Sequence, residues 1–105
     1  MNLDILESPG APIKFIVTSE LTRDSLQDLI EKIMEKSKDT EAEKAILDLF
    51  DVPYIDSSAV QMFIQLSQAW ESAGKTYEII VNSEILEILQ ILKLDTILNL
   101  KRKVI

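Results

Sequence analysis

The chain has 105 residues, 47% of them apolar and 28% charged, with a formal net charge of -7. That is the size of one domain with one modest core, its composition excludes a disordered chain, and its negative charge disfavours nucleic acid as a partner. Histidine and cysteine are both absent, which removes Ser-His-Asp and Cys-His catalysis, the usual zinc sites and any disulfide framework.

Leu3 to Leu6 alternates weakly and is expected to form a first strand. Pro9 and Gly10 mark a turn, and Ile13 to Val17 reads as a second strand paired with the first in a hairpin. Thr22 is a candidate N-cap, with Asp24 and Asp28 suited to the positive end of a helix. Leu26, Leu29, Ile30, Ile33 and Met34 recur at helical spacing, and the polar stretch Lys36 to Glu43 is expected to close that helix into a loop. Ala45 to Phe50 suits a central strand. A second helix is expected from Ser57 to about Ser72, ended by Ala73-Gly74-Lys75. Tyr77 to Val81 reads as a strand, and Asn82 or Ser83 as the cap of a third helix. That helix's buried stripe is Ile85, Leu86, Ile88, Leu89 and Leu92. Leu94 to Leu98 suits a short helical turn and Leu100 to Ile105 an edge strand. Strands and helices alternate after the hairpin, so the pattern predicts an α/β fold: a mixed sheet with helices packed on it, one domain over residues 1–105.

The apolar clusters are broken well short of a membrane span, and Met1-Asn2-Leu3-Asp4 lacks the basic and apolar regions of a signal peptide. A cytoplasmic protein without direct membrane insertion is the expectation. Lys101-Arg102-Lys103 is expected to be a solvated strand end.

The most informative stretch is Ala45 to Val60, where an apolar strand stops at an acidic turn and the triplet Asp56-Ser57-Ser58 opens a helix. At a helix start the backbone N–H groups point outward unpaired. Asp56 or Ser57 there serves simply as an N-cap, and the position also tolerates a phosphate. A phosphate would add about -1.5 to -2 charges. The fold would accept them, whereas a partner packed on this face against its own carboxylates would not. At 100° per residue, Ala59, Val60, Met62, Phe63, Leu66, Ala69, Trp70 and Ala73 fall on the inner side of the second helix. Ser57, Ser58, Gln61, Gln65, Gln68 and Ser72 gather on the outer side, with Ile64 at its margin. An uncharged polar face is cheap to desolvate and suits a protein contact, although Gln is also a good helix former.

These residues resemble the STAS family, the fold shared by anti-sigma factor antagonists and the cytoplasmic domains of sulfate transporters. The family's Asp-Ser-Ser-Gly-Leu-like motif stands here as Asp56-Ser57-Ser58-Ala59-Val60, with Ala and Val for Gly and Leu. The match continues through Ala73-Gly74-Lys75, Asn82-Ser83-Glu84-Ile85 and Leu92 to Leu98. The resemblance implies a partner-switching module with no catalytic groups, metal or cofactor of its own. Its partners would be an anti-sigma factor that is also a serine kinase, and a phosphatase. Ser57 would be the phosphoacceptor, ahead of Ser58, and Asp56, Ser58, Ala59, Gln61, Ile64, Gln65 and Gln68 would form the motif and contact face. Oligomeric state is left open. The alternative is a STAS subunit of a transporter or signalling complex with no phosphate cycle, which the Ala59 and Val60 departures favour. A receiver phosphorylated on Asp48 or Asp51 fits less well, because the chain opens with two strands and Asp4 has no acidic neighbour.

Overall fold

A computed structural model describes residues 3–102. The order of elements is β1 (Leu3–Leu6), β2 (Ile13–Val17), α1 (Arg23–Asp39), β3 (Lys44–Asp48), α2 (Ser57–Ser72), β4 (Thr76–Val81), α3 (Ser83–Ile91) and β5 (Leu100–Arg102). The strands form one sheet in the order β1-β2-β3-β4-β5. β1 and β2 are antiparallel and the remaining neighbours parallel. This is the mixed α/β sheet expected from the hydrophobic pattern. It is not the 2-1-3-4-5 doubly wound order of receiver folds, so the receiver reading falls with the topology.

Each parallel crossover moves one strand along the sheet in the same direction. Right-handed connections therefore carry α1, α2 and α3 over one face. The alternation of the strands agrees. Ile13, Phe15 and Val17, then Ala45 and Leu47, then Tyr77, Ile79 and Val81 are buried in a single core with the helices. The opposite parity carries Lys14, Ile16, Ile46, Asp48, Glu78 and Ile80, and most of these are half-buried. Diagonal ion pairs Lys14–Asp48 and Lys44–Glu78, both at 3.4 Å, cross that open face.

Trp70 sets the rotation of α2. Its ring is buried, lies 6.4 Å from Phe15 and 5.7 Å from Tyr77, and donates from Nε1 to the Ser37 hydroxyl at 3.0 Å. That contact explains a departure from the expected loop at Lys36. α1 continues to Asp39, because Ser37 is a buried helix residue whose hydroxyl donates to the Ile33 carbonyl and receives the indole N–H. Ser37, inside the polar stretch expected to be loop, is the partner the buried indole needs. Beyond α1, the Thr40 hydroxyl donates to Glu7, and Lys36 pairs with Glu7 at 3.0 Å. The hydrogen bond from Thr40, with Lys36 second, holds the Glu7 carboxyl below the usual carboxylate range.

Smaller differences follow from packing. β3 ends at Asp48 rather than Phe50, although the Leu49 N–H still bonds the Ile80 carbonyl at 2.8 Å. In α3 only Ile85 and Leu89 are fully buried, one turn apart. Ile88 and Leu92, expected in the buried stripe, are exposed, because a nine-residue helix on a sheet edge buries a narrow seam. Ala73, expected on the inner side of α2, is exposed at its C-cap. Lys101 and Arg102 are exposed in β5, as expected for a solvated strand end, and positions 103–105 of that strand lie outside the described residues. No helix among the described residues is long and apolar enough to cross a membrane.

Candidate functional site

The loops leaving the carboxyl ends of β2, β3 and β4 are bound to one another, and the Asp56-Ser57-Ser58 triplet lies in the middle of them. Leu21, ahead of α1, and Ile55, ahead of α2, form an isolated parallel bridge. The Leu21 N–H donates to the Tyr54 carbonyl at 2.9 Å, and the Asp56 N–H to the Leu21 carbonyl at 3.1 Å. From the other side, the Asn82 side-chain amide donates to the Phe50 and Val52 carbonyls at 2.9 and 3.2 Å. Its Oδ1 accepts the Ile85 N–H at 2.9 Å and caps α3. Asn82 is thus both the expected cap and a brace under the acidic turn.

Asp56 joins two helix starts. Its Oδ1 accepts the Ser58 N–H at 2.9 Å, the standard bond of an N-cap. Its Oδ2 accepts the N–H of Arg23, the first residue of α1, at 3.0 Å. Both carboxylate oxygens therefore satisfy backbone donors that a helix cannot satisfy itself. Thr22 is the N-cap of α1 as expected and forms a capping box with Ser25, to which Asp56 adds a bond from a distant part of the chain. Ser25 accepts the Thr22 N–H at 3.2 Å, and Asp56 serves Arg23 across 33 residues of chain.

The first residues of α2 differ in access. Ser57 is exposed, Ser58 half-buried, and Ala59 fully buried. Ala59 is thereby corrected as a contact residue: it packs into the core beneath the motif and offers no surface to a partner. Gln61, Gln65 and Gln68 are exposed, in line with the expected stripe, and Ile64 is half-buried against the core at its margin. One charge was overlooked, since Glu71 is exposed in the last turn of α2, so the neutral stripe runs from Ser57 to Gln68 and stops there. Ser67, unassigned by the helical pattern, is buried and donates to the Ile64 carbonyl at 2.8 Å. At the other end of the stripe Tyr54 is 56% exposed, which places an aromatic ring beside the triplet.

Asp48, a candidate acceptor in the receiver reading, is buried, paired with Lys14 and bonded to the Phe50 N–H at 3.0 Å. It holds the start of the turn in shape. Asp51 is exposed. The described residues contain no group of three or more acidic side chains placed to hold a metal ion.

A β-hairpin followed by right-handed β/α units, with an Asp-Ser-Ser helix start at the carboxyl ends of the strands, defines the class of α/β domain to which the chain belongs. The chain belongs to the STAS domain family, whose model matches residues 2–104. Among solved structures, the anti-sigma factor antagonist SpoIIAA in its unphosphorylated form aligns with a TM-score of 0.79 at 12% identity, over 97% of this chain and 88% of its own. The phosphorylated form of SpoIIAA, a Bacillus cell fate determinant, aligns with a TM-score of 0.73 at 12% identity, over 97% and 91%. A protein from Thermotoga maritima described as a candidate anti-sigma factor antagonist aligns with a TM-score of 0.79 at 18% identity, over 98% and 87%. At these identities the likeness establishes the fold. No curated protein matches the chain by sequence.

Proposed function

We propose that this chain is an anti-sigma factor antagonist that works by partner switching, with Ser57 as its phosphoacceptor. The unphosphorylated protein binds an anti-sigma factor that is also a serine kinase. The kinase transfers the γ-phosphoryl group of ATP to the Ser57 oxygen, the hydroxyl proton is lost, and ADP leaves. The added charge then ejects the partner, and a phosphatase restores the hydroxyl. The observation that carries this reading is the exposure of Ser57 directly after a carboxylate whose two oxygens are both occupied. Asp56 caps the helix that Ser57 opens, and Ser57 is exposed. Two structural relatives carry the description of an antagonist, and SpoIIAA is described in both phosphorylation states.

The contact face extends from Tyr54 and Ser57 along Gln61, Ile64, Gln65 and Gln68, with Ser58 at its buried edge. A neutral face loses little on desolvation, so it binds while uncharged and is sensitive to a new dianion at its end. The test is incubation of the purified chain with the kinase-type anti-sigma factor of its own genome and Mg-ATP, followed by phosphopeptide mapping. One phosphate on Ser57, lost in Ser57→Ala and retained in Ser58→Ala, is expected. A phosphate that persists in Ser57→Ala, or none in the wild type, overturns the assignment.

A further inference from the structure

A phosphate on Ser57 needs a counter-charge, and the loops around it are acidic. Glu20 and Asp24 flank the start of α1, and Asp51 and Asp56 lie on the turn before α2. The first donors of α2 give the phosphate little help. The Ser58 N–H is already bonded to Asp56, and the Ala59 N–H to the Asp56 carbonyl at 3.1 Å. Among the described residues, four lysines are committed elsewhere. Lys14 pairs with Asp48, Lys36 with Glu7 and Lys44 with Glu78, and Lys75 donates to the Thr40 and Ala42 carbonyls. Lys32, the next cation along α1, is nine residues beyond its start, about 13 Å along the helix axis.

Arg23 is the cation tied by its backbone to the residue before Ser57. It is exposed, has no ion pair among the described residues, and its backbone N–H rests on Asp56 Oδ2 at 3.0 Å. Ser57 is the next residue after Asp56. The Arg23 backbone is therefore held beside the carboxylate that directly precedes Ser57. An extended arginine reaches about 7 Å from its Cα and a phosphoserine about 4 Å, and the two backbones are linked through the single residue Asp56. Arginine is also the cation best matched to a phosphate, through two parallel N–H···O bonds.

We infer that Arg23 is the intramolecular counter-ion of a phosphate on Ser57. The inference rests on the reading of Ser57 as the acceptor and adds a consequence. The modified state ties the start of α1 to the start of α2 through the phosphate, a second link above the one Asp56 already makes. Part of the new charge is then neutralised within the chain, so Arg23 sets how strongly phosphorylation repels a partner.

The experiment installs phosphoserine at position 57 by genetic encoding in the full chain, which requires no kinase and so separates this inference from the identity of the acceptor. The readout is the 31P chemical shift titrated with pH in the wild type, Arg23→Lys and Arg23→Gln. Arg23→Gln keeps the backbone N–H on Asp56, and circular dichroism of each variant checks that the fold is intact. The second phosphate pKa, near 6 for free phosphoserine, is expected to lie about half a unit lower in the wild type than in Arg23→Gln, with Arg23→Lys between them. The difference is expected to shrink in molar salt. Identical titration curves for wild type and Arg23→Gln overturn the inference and leave the acceptor assignment standing. Loss of phosphorylation in the kinase assay instead removes the acceptor and leaves the arginine contact measured.

Discussion

Asp56 carries two duties that the sequence motif does not distinguish. Beside the proposed phosphoacceptor, an aspartate invites a reading as a partner contact or an electrostatic neighbour. Here its oxygens take the Ser58 and Arg23 N–H groups, and its own N–H goes to the Leu21 carbonyl. An N-cap bond contributes on the order of 1 kcal/mol, so removing both side-chain bonds is costly for one residue. Asp56→Ala is expected to lower stability by about 2 kcal/mol in urea unfolding. Asp56→Asn, which keeps one acceptor oxygen, should lose about half of that. A cost below about 0.5 kcal/mol for Asp56→Ala would show that the double cap is not holding the site. The Ser58 half of this arrangement is local and was legible from the order Asp-Ser-Ser before an apolar-periodic run. The Arg23 half was not legible, because a cap supplied across 33 residues leaves no periodic or neighbouring signal. The same reason hides the Asn82 brace under Phe50 and Val52.

The helix α2 turns that local arrangement into a surface. Trp70 pins its inner side to Phe15, Tyr77 and Ser37, which fixes the outward face as Ser57, Gln61, Gln65 and Gln68. The 100° pattern placed most of this face, because long and strongly amphipathic segments declare their buried side. It also put Ala59 inside, where it lies; the resemblance to the family is what drew that motif residue into the contact set. It failed to register Glu71 at the far end. In α1 the polar run after Met34 concealed Ser37, since composition cannot reveal a hydroxyl paired with a buried indole. In α3 five apolar positions were too many for nine residues at an edge. If the neutral stripe is the docking face, Gln65→Glu should weaken the complex with the anti-sigma factor by about tenfold. Its melting temperature should stay within about a degree of wild type, because the side chain is exposed. Titration calorimetry and thermal melts together check this, and unchanged affinity would move the docking face elsewhere.

At the level of the molecule, the fold separates a packed body from a rim of loops that carries the triplet. All three crossover helices sit on one face of the sheet, the core is continuous from Ile13 to Leu98, and the triplet stands at the carboxyl ends of the strands where loops meet. The chain order and mixed sheet were readable because strand and helix periods alternate cleanly. The sidedness follows from connection handedness once the strand order is known. A phosphate on Ser57 touches the rim and spares the core, so it can change binding without changing folding. The decisive measurement is calorimetric titration of the kinase-type anti-sigma factor into the unmodified chain and into the same chain with phosphoserine encoded at position 57. Partner switching predicts a loss of affinity of at least about a hundredfold, roughly 2.7 kcal/mol, with the circular dichroism spectrum unchanged. Equal affinity for the two forms, or a loss accompanied by unfolding, would contradict it.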